Sequence, residues 1–303
     1  MKDNFSGMTA LVSLFAKAYH VQNDKPKIYD DALAARLLTQ AEAEQIGKFM
    51  IGGADFFLPG EKEKLQNEEE LLRKIVHTQL APTPLMRARY AEDMLLNAVR
   101  SGAEQYVILG AGMDTSAYKN RRIPAGMQVL EADHPITQRF KIQKIREAAI
   151  KVPQNLRYVP LDFEKNDIAE ELVKAGYSPR KRTFFTLLGV SYYLTKECLA
   201  KVLRSIYSVA AKGSSIVFDY ADEGLFSSKT PRVQKMLALA NASGEPMQTC
   251  FSYAELEKFL EDCNYLIYEQ MNPEEIERLY FSYRTDDLHA FEHICLALAV
   301  VDK

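Results

Sequence analysis

The sequence predicts an α/β, Rossmann-like fold: a doubly wound, seven-stranded, mostly parallel sheet with its last strand antiparallel, plus an N-terminal helical cap. Three observations carry this expectation. Residues up to about 103 follow a helical pattern throughout, short β-rich runs then alternate with helical segments, and a glycine turn directly follows the first of those runs. Alternation implies parallel neighbours joined by right-handed crossovers, because a strand can rejoin its sheet in the same direction only through a long connection.

In the first hundred residues, TALVSLFAKAYH, YDDALAARLLTQ, NEEELLRKIVHTQL and TPLMRARYAEDMLLNAVRSG place apolar side chains at helical spacing. The last of these closes at Gly102, as a helix C-terminus should. Residues 1–103 are therefore read as the cap and 104–303 as the core. In the core, QYVIL, MQVLEAD, LRYVPLD, RTFFTLL and SSIVFDY are the first five strands. HPITQRFKIQKIREAAI, NDIAEELVKAG and TKECLAKVLRSIYSVAAKG are helices between them. YLIYEQM and HAFEHICLALAVV end the chain with no clear helix between them, which predicts a terminal hairpin-like pair.

Composition narrows the functional classes. A chain of 303 residues, 47% hydrophobic and 26% charged, has room for a sizeable core, and a net charge of -3 leaves no basic surplus for a phosphate backbone. Nucleic acid is thus a poor partner and a small molecule a better one. Cys198, Cys250, Cys263 and Cys295 are scattered without a C-x-x-C pair, so no metal site or disulfide framework is expected. No apolar run approaches the ~18 residues of a membrane span, and the start has no small-residue cleavage site. The expected location is the cytoplasm, with no membrane partner.

QYVILGAGMDT stands where a doubly wound sheet binds its ligand, beyond the carboxyl end of the first strand. Gly110, Ala111 and Gly112 form the turn, the glycines letting backbone approach a ligand closely, and a helix N-terminus is expected to follow. The second strand ends in Glu131 and Asp133, the latter 23 positions beyond Gly110. About 20 residues is the interval at which a carboxylate takes the hydroxyls of a ribose. These signals read as a nucleoside site. A dinucleotide fold usually carries a third glycine, where Thr115 stands here. S-adenosyl-L-methionine, which has no pyrophosphate, suits the turn better than NAD.

The helix LMRARYAEDML, the segment GAEQYVILGAGMDTSAY, the strand end VLEADHP with the following Lys141, VPLDF and GVSYYLT together resemble the leucine carboxyl methyltransferase-like class I methyltransferases. That family includes bacterial O-methyltransferases related to polyketide pathways, and the likeness runs over roughly residues 8 to 220. The resemblance implies that Arg87, with Arg89 as its competitor, pairs with the cofactor's carboxylate. It also implies that Gly110 belongs to the cofactor turn, that Asp133 takes the ribose, and that Asp162 and Phe163 flank the adenine. Lys17 falls where the family places a basic residue. One position departs from the pattern: Leu188 stands where members usually carry glutamate before the glycine, beside the cofactor's methionine portion. Weaker cofactor binding, a changed substrate and an inactive binding fold are all compatible with it.

Methyl transfer from a sulfonium is an in-line displacement that asks the protein chiefly to align groups and exclude water. A carboxylate acceptor arrives ionised, whereas a hydroxyl benefits from a base. Tyr192, Tyr193 and Tyr220, at the ends of the fourth and fifth strands, are candidates for the acceptor pocket, as is Asp219 beside Tyr220; alternation makes packing the better reading for one of the first two tyrosines. The five histidines are individually more consistent with structural roles than with base catalysis. The expected activity is O-methylation of a carboxylate or hydroxyl on a small molecule. A non-catalytic binding protein on the same fold and an NAD-dependent oxidoreductase are the rivals.

Overall fold

Residues Gln105–Leu109 are buried along their whole length, which a strand achieves only when both sheet faces are covered. This is β1, an interior strand of a seven-stranded sheet in a computed structural model that describes residues 6–61, 64–119 and 123–303. The other strands are β2 (Gln128–Asp133), β3 (Leu156–Pro160), β4 (Thr183–Leu187), β5 (Ser215–Ala221), β6 (Tyr265–Met271) and β7 (Ile294–Val301). Their order is β3-β2-β1-β4-β5-β7-β6. β1 to β5 pair in parallel, and β7 runs antiparallel to both β5 and β6. All seven predicted strands are present, and the last one has the expected direction.

The helices before the sheet are α1 (Ser6–Asn23), α2 (Ala32–Leu37), α3 (Gln40–Gly52), α4 (Ala54–Phe57), α5 (Glu68–Ile75), which continues into a π turn at Val76–Leu80, and α6 (Pro82–Arg100). α3 was not expected from the pattern; it starts at a capping box in which Thr39 and Glu42 bond each other's backbone N–H. α7 (Pro135–Glu147), α8 (Ile168–Lys174) and α9 (Lys196–Val209) are the predicted crossovers. α10 (Pro231–Ala242) and α11 (Tyr253–Glu261) lie between β5 and β6. α12 (Pro273–Ile276) and a π turn at Glu277–Phe281 separate β6 from β7, where no helix was expected. None of the described helices is long and apolar enough to cross a membrane, and the four cysteines are free.

Period-two alternation divides the sheet between two cores. Tyr106, Ile108, Phe184 and Val217 pack with the N-terminal helices, Leu14 and Leu85 among them. Val107, Leu109, Phe185 and Phe218 pack with Leu172, Leu203 and Leu256 of α8, α9 and α11. β1 and β4 are thereby buried along their whole length, while the edge strand β3 leaves Arg157 and Pro160 exposed.

One expectation fails. The turn after β1 does not open an α-helix: its described residues reach only a short 3₁₀ turn at Ser116–Tyr118. Side-chain bonds, one local and one long-range, outcompete helix formation here. Asp114 accepts from the Ser116 N–H at 2.7 Å, and the Thr115 hydroxyl donates to Asp31 at 2.6 and 2.7 Å. Among the described residues, any charge selectivity of this turn therefore comes from individual N–H groups and side chains, with no α-helix dipole behind them.

Candidate functional site

A cavity of about 660 Å³ opens beyond the carboxyl ends of β1, β2 and β4. α1, α6 and the segment 244–248 complete its walls. Its size falls in the ordinary range for small-molecule and cofactor sites.

The glycine turn forms one wall. Gly110 has φ +65° and Gly112 φ +47°, both in the left-handed region that side chains disfavour. A Cβ on Gly110 would lie 2.5 Å from Val190 Cγ2, whereas Gly112 has room and needs glycine for its dihedral alone. The Asp133 carboxylate locks this turn to the second strand. It accepts from the Gly112 N–H and, at 2.6 Å, from the His134 N–H. Burial pushes the Asp133 carboxyl above its usual range, against the pull of those two N–H groups.

Asp162 and Phe163, on the loop after β3, also line the cavity. Lys165, 2.8 Å from Asp162, holds that carboxyl below its usual range. Gly110, Ala111, Gly112, Asp133, Asp162 and Phe163, in part distant in sequence, thus line one cavity.

Arg87 lines the same cavity, and the two candidate arginines part company. Two helical positions apart means roughly 200° of rotation, so Arg87 and Arg89 leave α6 on nearly opposite sides. Arg87 lines the cavity, while Arg89 donates through Nε to Asp93 at 2.9 Å outside it. Arg87 Nη1 lies 3.3 Å from the Tyr192 hydroxyl and 3.4 Å from Asp219 Oδ2. Among the described residues its Nε and Nη2 have no hydrogen-bond partner. Gly189, at φ +69°, lies under the guanidinium, where a Cβ would come within 2.7 Å of Cζ.

Leu188 lines the cavity beside Gly189. Tyr193 lines it too, but Tyr192 is buried behind, its hydroxyl donating to Asp219 at 3.1 Å. Tyr220 is a correction: it belongs to the opposite core and does not line the cavity. The cause is alternation along β5, which sends Asp219 toward the site's side and Tyr220 away. Lys17 of α1 does reach the cavity, 3.3 Å from Asp31.

Some lining residues escaped sequence reasoning. Asp114 sat within the quoted turn, yet nothing in the spacing marked it as a wall of the site. Burial raises its carboxyl, but Lys17, Lys141 and the two hydrogen bonds from Ser116 together outweigh burial and the net shift is downward. Thr9 of α1 donates to Glu245 at 3.0 Å across 236 residues, a contact with no sequence signal. Of the histidines only His134 lines the cavity. His20 and His77 flank Asp24 at 2.6 and 2.9 Å; His289 pairs with Glu277 at 2.9 Å and His293 with Asp222 at 2.8 Å. Asp24, His77 and Asp286 are close enough to hold an ion. Their carboxylates are already engaged, however, by the two imidazoles and by the Arg284 guanidinium.

The leucine carboxyl methyltransferase family model matches residues 10–207, well over half of the chain. The chain belongs to this family. A Bacillus subtilis (strain 168) relative, YktD, is 46% identical over 297 residues, covering 97% of each chain, and its name places it among the S-adenosyl-L-methionine-dependent methyltransferases. A Mycolicibacterium smegmatis relative named for the same activity is 29% identical over 215 residues, 70% of this chain and 66% of that protein. Two solved structures share the fold of this leucine carboxyl methyltransferase family member. A DUF574 family protein from Streptomyces avermitilis superposes with TM-score 0.56 at 16% identity, covering 84% of this chain and 95% of that one. A protein from Thermobifida fusca, titled a methyltransferase, gives TM-score 0.54 at 13% identity over 95% and 94%. Family membership places the protein among the S-adenosyl-L-methionine-dependent methyltransferases.

Proposed function

We propose that this family member transfers a methyl group to an oxygen, a carboxylate or hydroxyl, of a small molecule. One observation carries the placement of the cofactor: a single cavity gathers the side-chain-free turn, the Asp133 carboxylate and the open edge of Arg87. A nucleoside with an amino-acid tail matches that set. Asp133 would take the ribose hydroxyls, Asp162 and Phe163 the adenine, and Arg87 the tail's carboxylate. Gly110, Ala111 and Gly112 would admit the tail close to backbone, and Leu188 would line its path.

When bound, S-adenosyl-L-methionine supplies a methyl group activated by its sulfonium. The chain's own contribution is alignment and exclusion of water. We assign residues 1–103 the role of a cap over the core at 104–303. α1 brings Thr9 and Ser13 to the cavity's lining, and Tyr193, Glu245 and Gln248 line it as well; none of them has a place in the cofactor assignment, and we read them as the acceptor end. Burial raises the Glu245 carboxyl, with the Thr9 hydroxyl opposing it. A carboxylate acceptor would need no base there; a hydroxyl acceptor would have Glu245 and His134 within the same walls. The expected setting is the cytoplasm, with no nucleic-acid or membrane partner.

Calorimetric titration with S-adenosylhomocysteine tests the cofactor reading. Asp133→Ala is expected to weaken binding by about 1–3 kcal/mol, the cost of leaving buried hydrogen-bonding groups without their acceptor. Unchanged affinity would remove the ribose assignment. Arg87→Ala should weaken binding by about 1.5–3 kcal/mol, the worth of hydrogen bonds to charged groups, while Arg89→Ala should have no effect. The reverse pattern would overturn the choice between them. A second reading has one observation in its favour: Leu188 puts an apolar side chain into the cavity wall where the family carries a carboxylate. A non-catalytic binding protein would bind the cofactor yet consume none of it with any acceptor in a panel of carboxylic acids and phenols.

A further inference from the structure

Asp219 is wholly buried on β5 and does not line the cavity, yet every group around its carboxylate belongs to the cavity's wall or its backing. Oδ1 accepts from the Gly189 N–H at 2.6 Å. Oδ2 accepts from the Tyr192 hydroxyl at 3.1 Å and lies 3.4 Å from Arg87 Nη1. The Tyr192 hydroxyl in turn is 3.3 Å from the same Nη1. One corner of the guanidinium is thus tied down from behind, while its Nε and Nη2 edge has no hydrogen-bond partner among the described residues. That edge carries two parallel N–H groups, the fork that matches a carboxylate bidentately. A free arginine side chain would lose much of its rotamer freedom on binding, and a preset one loses less.

Position 188 adds to the case. With leucine there, the loop before Gly189 offers no acidic side chain to Arg87, and the ion-pair partner that Arg87 does have stands on the neighbouring strand. Asp219 also grips the Gly189 N–H, so the same carboxylate sets the floor on which the guanidinium lies.

We propose that Asp219 is the positioning residue of the cofactor site: through Arg87, Tyr192 and Gly189 it presets the arginine fork for the amino-acid carboxylate of the cofactor. This rests on the reading that Arg87 receives that carboxylate. Two ligands separate the carboxylate grip from the fold. S-adenosylhomocysteine carries the amino-acid tail, and 5′-methylthioadenosine shares the adenosine but lacks the tail.

Calorimetry with both ligands, on the full chain, tests the proposal. Asp219→Asn should weaken S-adenosylhomocysteine binding about tenfold, the loss of one charge-assisted contact's orientation, and leave methylthioadenosine binding unchanged. Tyr192→Phe, which removes one bond to Asp219 without a buried charge change, should give a smaller loss with the same selectivity. The double variant Arg87→Ala/Asp219→Asn should bind S-adenosylhomocysteine no worse than Arg87→Ala alone, because the two residues act through one contact. Equal losses for both ligands, or additive losses in the double variant, would overturn the positioning role. If Asp219→Asn does not fold, selectivity in Tyr192→Phe decides: a loss restricted to the ligand with the tail supports the proposal, and none refutes it. An Arg87→Ala variant that binds both ligands normally would instead refute the underlying carboxylate assignment.

Discussion

Gly189→Ala is expected to lower S-adenosylhomocysteine affinity about a hundredfold, close to 3 kcal/mol, as loss of a bidentate charged contact would. The same change should destabilise the fold by about 1–2 kcal/mol, the cost of a left-handed conformation for a residue with a Cβ. Both effects come from one atom. At φ +69° the backbone presents the new methyl group to the Arg87 guanidinium, whose Cζ would be 2.7 Å away. No real contact is that short, so the guanidinium must leave its position. It is the flexible end of a long side chain, which makes moving it cheaper than moving the strand behind it. The binding loss should accordingly exceed the stability loss. Calorimetry and urea unfolding on the same sample measure the two. A variant that keeps its affinity would mean that the guanidinium need not lie over Gly189 for the cofactor to bind.

The legible part of this protein was the part governed by local rules. β1 through β5 follow from β-rich runs that end in turns, and the family's glycine and carboxylate positions converge on one cavity as expected, since strand ends in a parallel sheet share one edge. The illegible part depended on long-range bonds or on facing. The missing helix after β1 was lost to Thr115 and Asp114, whose side chains bond Asp31 and Ser116. Asp31 lies 84 residues away, so its competition with helix formation leaves no local trace. Tyr220 and Asp219 are adjacent, and sequence alone does not say which one a strand turns toward its ligand. The meeting of Thr9 with Glu245, which closes one side of the cavity, is likewise a product of tertiary packing. Leu188 was visible from the start, but its consequence became readable only when Asp219 was found paired with Arg87.

The largest stability effect should come from beneath the site. Lys141 of α7 and Glu131 of β2 form an ion pair at 2.9 Å with both side chains almost wholly buried. Burial pushes the Glu131 carboxyl up to about 7, against the pull of Lys141 and with a further push from Asp114 and Asp133. Lys141→Met leaves that carboxylate without its cation, and removing one partner of a buried pair costs about 3–5 kcal/mol. The penalty must depend on pH, and its sign follows from linkage. The folded carboxyl binds its proton more tightly than the unfolded one at 4.5, so its contribution to stability is present at low pH and is lost as pH rises through the folded value. Without Lys141 the folded value climbs further, and the loss continues to higher pH. Urea unfolding should therefore find Lys141→Met close to the parent near pH 6 and about 2 kcal/mol below it near about pH 8.5. Each pH unit above the parent's folded value costs the variant about 1.4 kcal/mol more than the parent, the full penalty being reached only at still higher pH. The double variant Glu131→Leu/Lys141→Met should recover most of the loss at both pH values, because apolar side chains of similar size replace the pair without stranding a charge. A penalty that does not change with pH, or a double variant as unstable as the single, would mean that Lys141 stabilises through its packing over Tyr118, 5.6 Å from that ring, and that the buried charge is neutralised in some other way.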